Sequence, residues 1–160
     1  MAEMVDPYYG LVSFQQAFGA GEVETELGRL HPDLLVHMDQ PNGVTRLTYA
    51  LLEHSVVKAF VVFVLAAPID GVTCYGVGYA VDERFRKQGV ATSTLEKAID
   101  ELREGMRPHL PEFYLEAIVG QINVPSQRVA AKILSPTPRS GKDKLSGKPA
   151  LIYTRRIQTQ

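Results

Sequence analysis

The sequence predicts a mixed α/β fold in which a mostly antiparallel sheet carries helices packed on it. Three observations predict it. Between residues 34 and 81, short runs rich in Val, Leu, Phe, Tyr and Thr are separated by turn signals. After Gly89 the apolar spacing changes from strand-like to helical. Beyond that helix, a strand, a second helix and a last strand follow in turn.

Taken in order, residues 1–21 are mixed, with Asp6-Pro7 and Gly19-Ala20-Gly21 as breakers. Residues 22–30 read as a short helix, acidic in its first turn and carrying Arg29 in its last. His31-Pro32 ends it. A strand is expected over 34–38. Pro41-Asn42-Gly43 is a hairpin turn signal, and 45–52 alternates as a second strand. Residues 53–55 turn the chain. Residues 56–66, dense in Val and Phe, read as a central strand buried on both faces. Asp70-Gly71 turns again, and 73–81 forms the fourth strand. The first half is therefore a meander of antiparallel strands.

Val90, Thr94, Leu95, Ala98, Ile99, Leu102 and Met106 recur at helical spacing with charged residues between them, which predicts an amphipathic helix over 90–105. Pro108 and Pro111 end it. Residues 113–119 form the fifth strand, 126–134 a second short helix, and 150–157 a last strand. Residues 135–149 hold three prolines, two glycines and four basic residues and read as a mobile loop.

A chain of 160 residues is expected to form one domain spanning 1–160. Its one cysteine, Cys74, excludes an internal disulfide and a cysteine-rich zinc site. Residues 1–7 lack the basic and apolar regions of a secretory signal. The longest apolar stretch, 56–69, contains Lys58 and falls short of the roughly 20 residues that cross a bilayer. A cytoplasmic protein is expected. A net charge of −1 predicts no general affinity for nucleic acid or membrane. Charge is unevenly spread: residues 1–80 sum to −6 and residues 81–160 to +5. A positive half suits an anionic ligand, and equally an ordinary solvated surface. His31, His37, His54 and His109 have no metal-ligand spacing, so no metal is expected.

The informative stretch is 75–94, YGVGYAVDERFRKQGVATST. A strand runs into a short basic loop that opens directly into a helix, with Gly89 at the entrance. The first amides of a helix have no partner inside it, and its dipole favours an anion there. Gly89 lets the backbone approach a ligand, because it has no Cβ. Arg84, Arg86 and Lys87 bring positive charge, and Thr92 and Ser93 add hydroxyls. A diphosphate fits such a cradle. The same residues also suit a plain strand–helix connection. No G-x-x-x-x-G-K-[ST] occurs, and no G-x-G-x-x-G precedes the helix, so nucleotide binding of those kinds is not expected.

Arg86-Lys87-Gln88-Gly89-Val90-Ala91 resembles the R/Q-x-x-G-x-G/A signature of the GNAT N-acetyltransferase family. Residues 78–82 look like the strand before that signature. Leu115-Glu116-Ala117-Ile118-Val119, then Asn123-Val124-Pro125-Ser126 and Lys132, look like the next strand and helix. The N-x-x-S step is most similar to the branch of ribosomal-protein N-acetyltransferases. The resemblance covers 73–134, with 152–156 as a closing strand. It implies a GNAT fold whose fourth and fifth strands splay apart, with acetyl-CoA as acyl donor in the cleft. It places the pantetheine arm along Tyr79, Ala80 and Val81. It places the pyrophosphate on the loop Arg86, Lys87, Gln88, Gly89, Val90 and Ala91, with Thr92 and Ser93 next. Asn123 and Ser126 fall at cofactor-contacting positions.

The chain also departs from the family. The helix tyrosine that protonates the departing thiolate in many members falls at about Ala130, the strand before the signature lacks a glutamate, and no Gly-Phe follows the second helix. Attack of an amine on a thioester needs the amine neutral, and a placed base supplies about 10²–10⁴-fold. Glu116, on the same side of its strand as Tyr114, is the candidate base, or else a structural carboxylate paired with an arginine. Tyr79 and Ser126 are candidates for contact with the thioester or thiolate. Cys74, at the start of a strand, is not expected to relay the acyl group covalently. Arg139, Lys142, Lys144 and Lys148 form a basic segment, either a solvated hairpin tip or a lid for an acidic substrate. The expected activity is direct acetyl transfer from acetyl-CoA to an amine on a small molecule or peptide, with a homodimer permitted by the edge strands. The alternative is a catalytically weak or inactive acyl-CoA-binding module that acts through a protein partner.

Overall fold

The computed structural model describes residues 6–160; the reading of residues 1–5 lies outside them. An eight-stranded sheet has the order β1-β2-β3-β4-β5-β6-β8-β7. Its strands are β1 (Glu26–Leu27), β2 (Leu34–Asp39), β3 (Arg46–Glu53), β4 (Val56–Ile69), β5 (Val72–Val81), β6 (Glu112–Gly120), β7 (Arg139–Lys142) and β8 (Pro149–Gln158). Every neighbouring pair is antiparallel except β5 with β6, which runs parallel. Helix α1 (Pro7–Gly19) covers one face, and α2 (Val90–Met106) and α3 (Val124–Ile133) the other.

The larger core lies under α2 and α3. Leu95, Ala98, Ile99 and Leu102 of α2 and Ala130 and Ile133 of α3 pack on Val61 and Phe63 of β4, Tyr75 of β5 and Phe113, Leu115, Ala117 and Val119 of β6. Alternation along β6 is complete, so its even-numbered residues, Glu112 to Ile118, face the other way. On that second face Leu11 and Phe14 of α1 pack on Leu35, Ala50 and Phe60. Val57 and Phe60 are buried on one side of β4 and Val61 and Phe63 on the other, as its composition foretells, with Lys58 and Val62 half-buried, while Leu65 and the end of the strand emerge into solvent.

Three expectations are corrected. Asp6-Pro7 starts a helix instead of breaking one: the Asp6 side chain accepts from the Tyr8 amide at 3.0 Å and Pro7 takes the first helical position. The helix read over 22–30 does not form. Glu26–Leu27 instead adds a short strand beside Val36 and Leu35. The following turn is held by α2, where the buried Glu101 carboxylate accepts from the amides of Arg29 (2.9 Å), Leu30 and His31 (3.0 Å). His31 and Asp33 are tied to the same helix, through Asp100 and Lys97. The loop read over 135–149 contains β7, which pairs with β8 from Arg139↔Ile152 to Lys142↔Pro149. The hairpin tip closes on Asp143, whose carboxylate accepts from the Ser146 amide at 2.7 Å.

No helix among the described residues is long and apolar enough to cross a membrane.

Candidate active site

Parallel pairing between β5 and β6 stops early. It runs from Cys74↔Tyr114 to Gly76↔Glu116 and no further. Residues 77–81 of β5 keep β4 on one side, but their other edge has no strand partner among the described residues. The two strands separate from that point, and a cavity of about 1100 Å³ opens between them. Its walls are Val77 to Val81 of β5, Ala117 to Gly120 of β6, and the start of α3. At its other end lie Arg86, Lys87, Gly89, Val90, Ala91 and Thr92.

Gly89 caps α2 with φ +74°, a left-handed conformation that side chains with a Cβ adopt at a cost. Nothing lies within 4 Å of where its Cβ would be, so the backbone angle and not crowding favours glycine. No side chain among the described residues caps the helix. Its first i→i−4 bond runs from the Ser93 amide to the Gly89 carbonyl at 3.1 Å, which leaves the three earlier amides facing outward. An anion-binding mouth is the physical consequence.

The nearby cations divide. Arg86 and Lys87 line the cavity. Arg86 donates to the Val81 carbonyl at 3.3 Å and stacks 5.0 Å from the Tyr8 ring. Arg84 turns back onto Asp82, at 3.0 Å, and holds that carboxyl below its ordinary range. Gln88 folds its amide onto the Arg84 carbonyl at 3.4 Å, and neither Gln88 nor Ser93 is part of the cavity wall.

On the opposite wall, Asn123 caps α3 by accepting from the Ser126 amide at 3.2 Å. Tyr79 reaches across from β5. Its hydroxyl donates to the Ser126 carbonyl at 2.6 Å and accepts from the Ser126 hydroxyl at 3.1 Å. Burial pushes the Tyr79 phenol up to about 12, against the downward pull of Ser126. Ala130 is fully buried in the larger core. Tyr79, Ala80, Val81, Asn123 and Ser126 thus share one cavity with the α2 mouth.

Glu116 lies elsewhere. It is the last β6 residue paired with β5, so it marks the apex of the splay, and it projects on the face away from α2 and α3. Its carboxylate is 21% exposed and 3.6 Å from the Arg139 guanidinium. Cys74, on the same face, is buried, and its thiol is pushed up to about 11, first by burial and then by Glu116. Sequence reasoning missed Asp6, Pro7 and Tyr8, which close one side of the large cavity, and Ile122, 96% exposed at its rim. The N-cap and N1 pair Asp6-Pro7 was the available signal for the first three; Ile122 carried none. No cluster of metal-binding side chains occurs among the described residues.

Comparison with known proteins agrees with this geometry. The family model for GNAT acetyltransferases matches residues 15–134. No curated protein matches the chain. Among solved structures, the chain is similar to RimL, a ribosomal L7/L12 alpha-N-protein acetyltransferase in complex with coenzyme A. The TM-score is 0.54 at 21% identity, over 72% of this chain and 64% of that one. A ribosomal-protein-S5-alanine acetyltransferase from Vibrio fischeri gives 0.54 at 14% identity, covering 71% and 62%. An acetyltransferase from Salmonella typhimurium that modifies the N-terminal serine of 50S ribosomal subunit protein L7/L12 gives 0.50 at 20%, covering 71% and 64%. The chain spans less than two thirds of the length of each of these three structures, and at such identities the likeness is one of fold. The family match covers most of the sequence, from within α1 to the end of α3, and on that ground the chain belongs to the GNAT acetyltransferase family.

Proposed function

We propose that this protein transfers an acetyl group from acetyl-CoA directly to an amine. One observation carries the reading: an uncapped helix N-terminus and an unpartnered strand edge line the same cavity. The amides of Val90, Ala91 and Thr92, with Arg86 and Lys87 beside them, suit a diphosphate. The free edge of residues 77–81 suits an extended chain bearing amides, which would add to β5 as a strand does. Coenzyme A joins those two chemistries, and the residues present fit it. Bound acetyl-CoA supplies an activated thioester carbonyl.

The protein's own groups then divide the work. Glu116, at the apex, takes the proton that the amine loses as its nitrogen bonds to the acyl carbon, directly or through one water. The Arg139 guanidinium faces that carboxylate at 3.6 Å. Ser126 is the donor for the departing sulfur, its hydroxyl exchanging the 3.1 Å bond it makes to the Tyr79 oxygen for one to the sulfur. The Tyr79 O–H stays on the Ser126 carbonyl, so Tyr79 positions Ser126. Asn123 fixes the same turn of α3. The ribosomal-protein substrates in the names of similar structures put a peptide amine among the acceptors to test.

The reading is tested by calorimetry with acetyl-CoA and by release of the free thiol over a panel of amines. Binding with turnover is expected for the native chain, and binding without turnover for Glu116→Gln. Binding with no turnover on any amine would favour the partner-dependent acyl-CoA module, which the buried Ala130 at the family's tyrosine position also favours. No binding at all would remove both readings.

A further inference from the structure

A second cavity, of about 330 Å³, lies on the sheet face away from α2 and α3, lined by Ile69, Thr137, Arg139, Ile152 and Thr154. It is at the small end of the range for ligand sites, about 300–1,000 Å³. Thr154 is the β8 partner of Glu116, and Arg139 is the β7 partner of Ile152, so the cavity sits against the apex of the splay. Glu116 and Arg139 face each other there at 3.6 Å, an ion pair too long to be a hydrogen bond. Neither side chain makes a hydrogen bond among the described residues. A guanidinium with five donors and a carboxylate with about four acceptor sites therefore both keep their capacity. Arg139 is 66% exposed and Glu116 21%, so the cation is the more open of the two to solvent.

The neighbouring pair on this face is a contrast. Arg156 donates to Glu112 at 2.5 Å, and Gln158 adds a bond to the same oxygen at 3.2 Å. That pair is closed on itself. The Glu116–Arg139 pair is open, beside a pocket whose other walls are two isoleucines and two threonines.

Resting on the acetyl-transfer reading above, we propose that this pocket takes the acceptor, a small α-amino acid with a compact aliphatic side chain. Arg139 holds its carboxylate, Glu116 receives its amino group, and Ile69 and Ile152 contact its side chain. The amine then stands at the apex, where β5 and β6 part and the acyl carbon arrives. The transfer is the one already described: the neutral amine nitrogen bonds to the acyl carbon, the carbon–sulfur bond breaks, coenzyme A leaves as its thiolate with Ser126 donating a hydrogen bond to the sulfur, and Glu116 takes the proton lost by the nitrogen. Arg139 is a specificity residue, since a bidentate guanidinium–carboxylate contact is lost when the carboxylate is amidated or absent.

The test is calorimetry with L-leucine, L-leucinamide and 3-methylbutylamine, alone and with saturating coenzyme A, and then acetyl transfer to the same three. The native protein should bind leucine about 10- to 100-fold more tightly than either analogue, with the same ratio in KM. Arg139→Gln should bring the three together, Arg139→Lys should restore part of the preference, and Arg156→Gln should leave it intact. Equal affinity for the three in the native protein, an undiminished preference in Arg139→Gln, no binding of leucine, or preference for a peptide amine over leucine would each overturn the proposal. Leucine binding without heat from coenzyme A would instead sink the donor reading and leave the pocket standing, so the two failures are distinguishable.

Discussion

Gly89 is the residue on which the coenzyme reading turns. Its φ of +74° sets the direction of the chain into α2, and the open space around it means that a substitution acts through the backbone. Gly89→Val forces a β-branched residue into the left-handed region at a cost of about 1–2 kcal/mol. The expected outcome is a Tm lower by roughly 2–8 °C and acetyl-CoA affinity reduced about tenfold or more. Gly89→Asn, which tolerates that region, should keep most of both. Calorimetry and melting on the two variants check this, and a Gly89→Val protein that binds as the native one does would refute it. The mouth around Gly89 was legible in the sequence because its chemistry is local. One glycine, two cations and a helix start within six residues need no tertiary information. What Gln88 and Arg84 do was not legible, since a side chain that folds back on a neighbour looks in sequence like one that faces a ligand.

At the scale of elements, Glu101 shows why other parts of the fold were not readable. In sequence it is an ordinary polar residue of an amphipathic helix. In the structure it is buried, and it fastens the turn before β2 through three amides. Residues 22–30 were read as helical from their charges, although their alternation of Glu with Val, Thr and Leu has a period of two. A carboxylate some seventy residues away decides the matter. Glu101→Ala should strand those amides and cost about 3–5 kcal/mol, seen as a Tm lower by roughly 10 °C. Hydrogen exchange should quicken at Arg29, Leu30 and His31 before the rest of the sheet. Exchange that quickens uniformly would count against a local clamp. The meander β2 to β5, by contrast, was legible to within one residue except at the end of β4, which runs three residues beyond 66, because two of its turns carry their own signals: Asn42, Gly43, Asp70 and Gly71 all take positive φ. The hairpin of β7 was hidden because Pro136 and Pro138 stand just before it and Gly141 sits inside β7 itself.

At the scale of the whole molecule, burial ties stability to pH on the alkaline side. Cys74 is pushed from its ordinary 9 up to about 11, and Tyr79 from 10 up to about 12. Tyr49 and Tyr75 are raised too, in each case first by burial. A group with a raised folded pKa holds its proton more tightly in the native state. Its contribution is complete below the unfolded pKa and is lost as pH climbs through the folded one. Urea midpoints should therefore be flat from about pH 7 to 8.5 and fall between about pH 9 and 12. Cys74→Ala should delay the onset of that fall. A midpoint that rises over the same interval would show that these groups are not buried as described.

The central claim is that one coenzyme bridges the α2 mouth and the open edge of β5. Titration of the uniformly ¹⁵N-labelled protein with acetyl-CoA, followed amide by amide, tests it most directly. The account predicts saturable shifts at Gly89, Val90, Ala91 and Thr92 and, at the same ligand ratio, at residues 77–81. Shifts confined to other surfaces, or none in either segment, would contradict it.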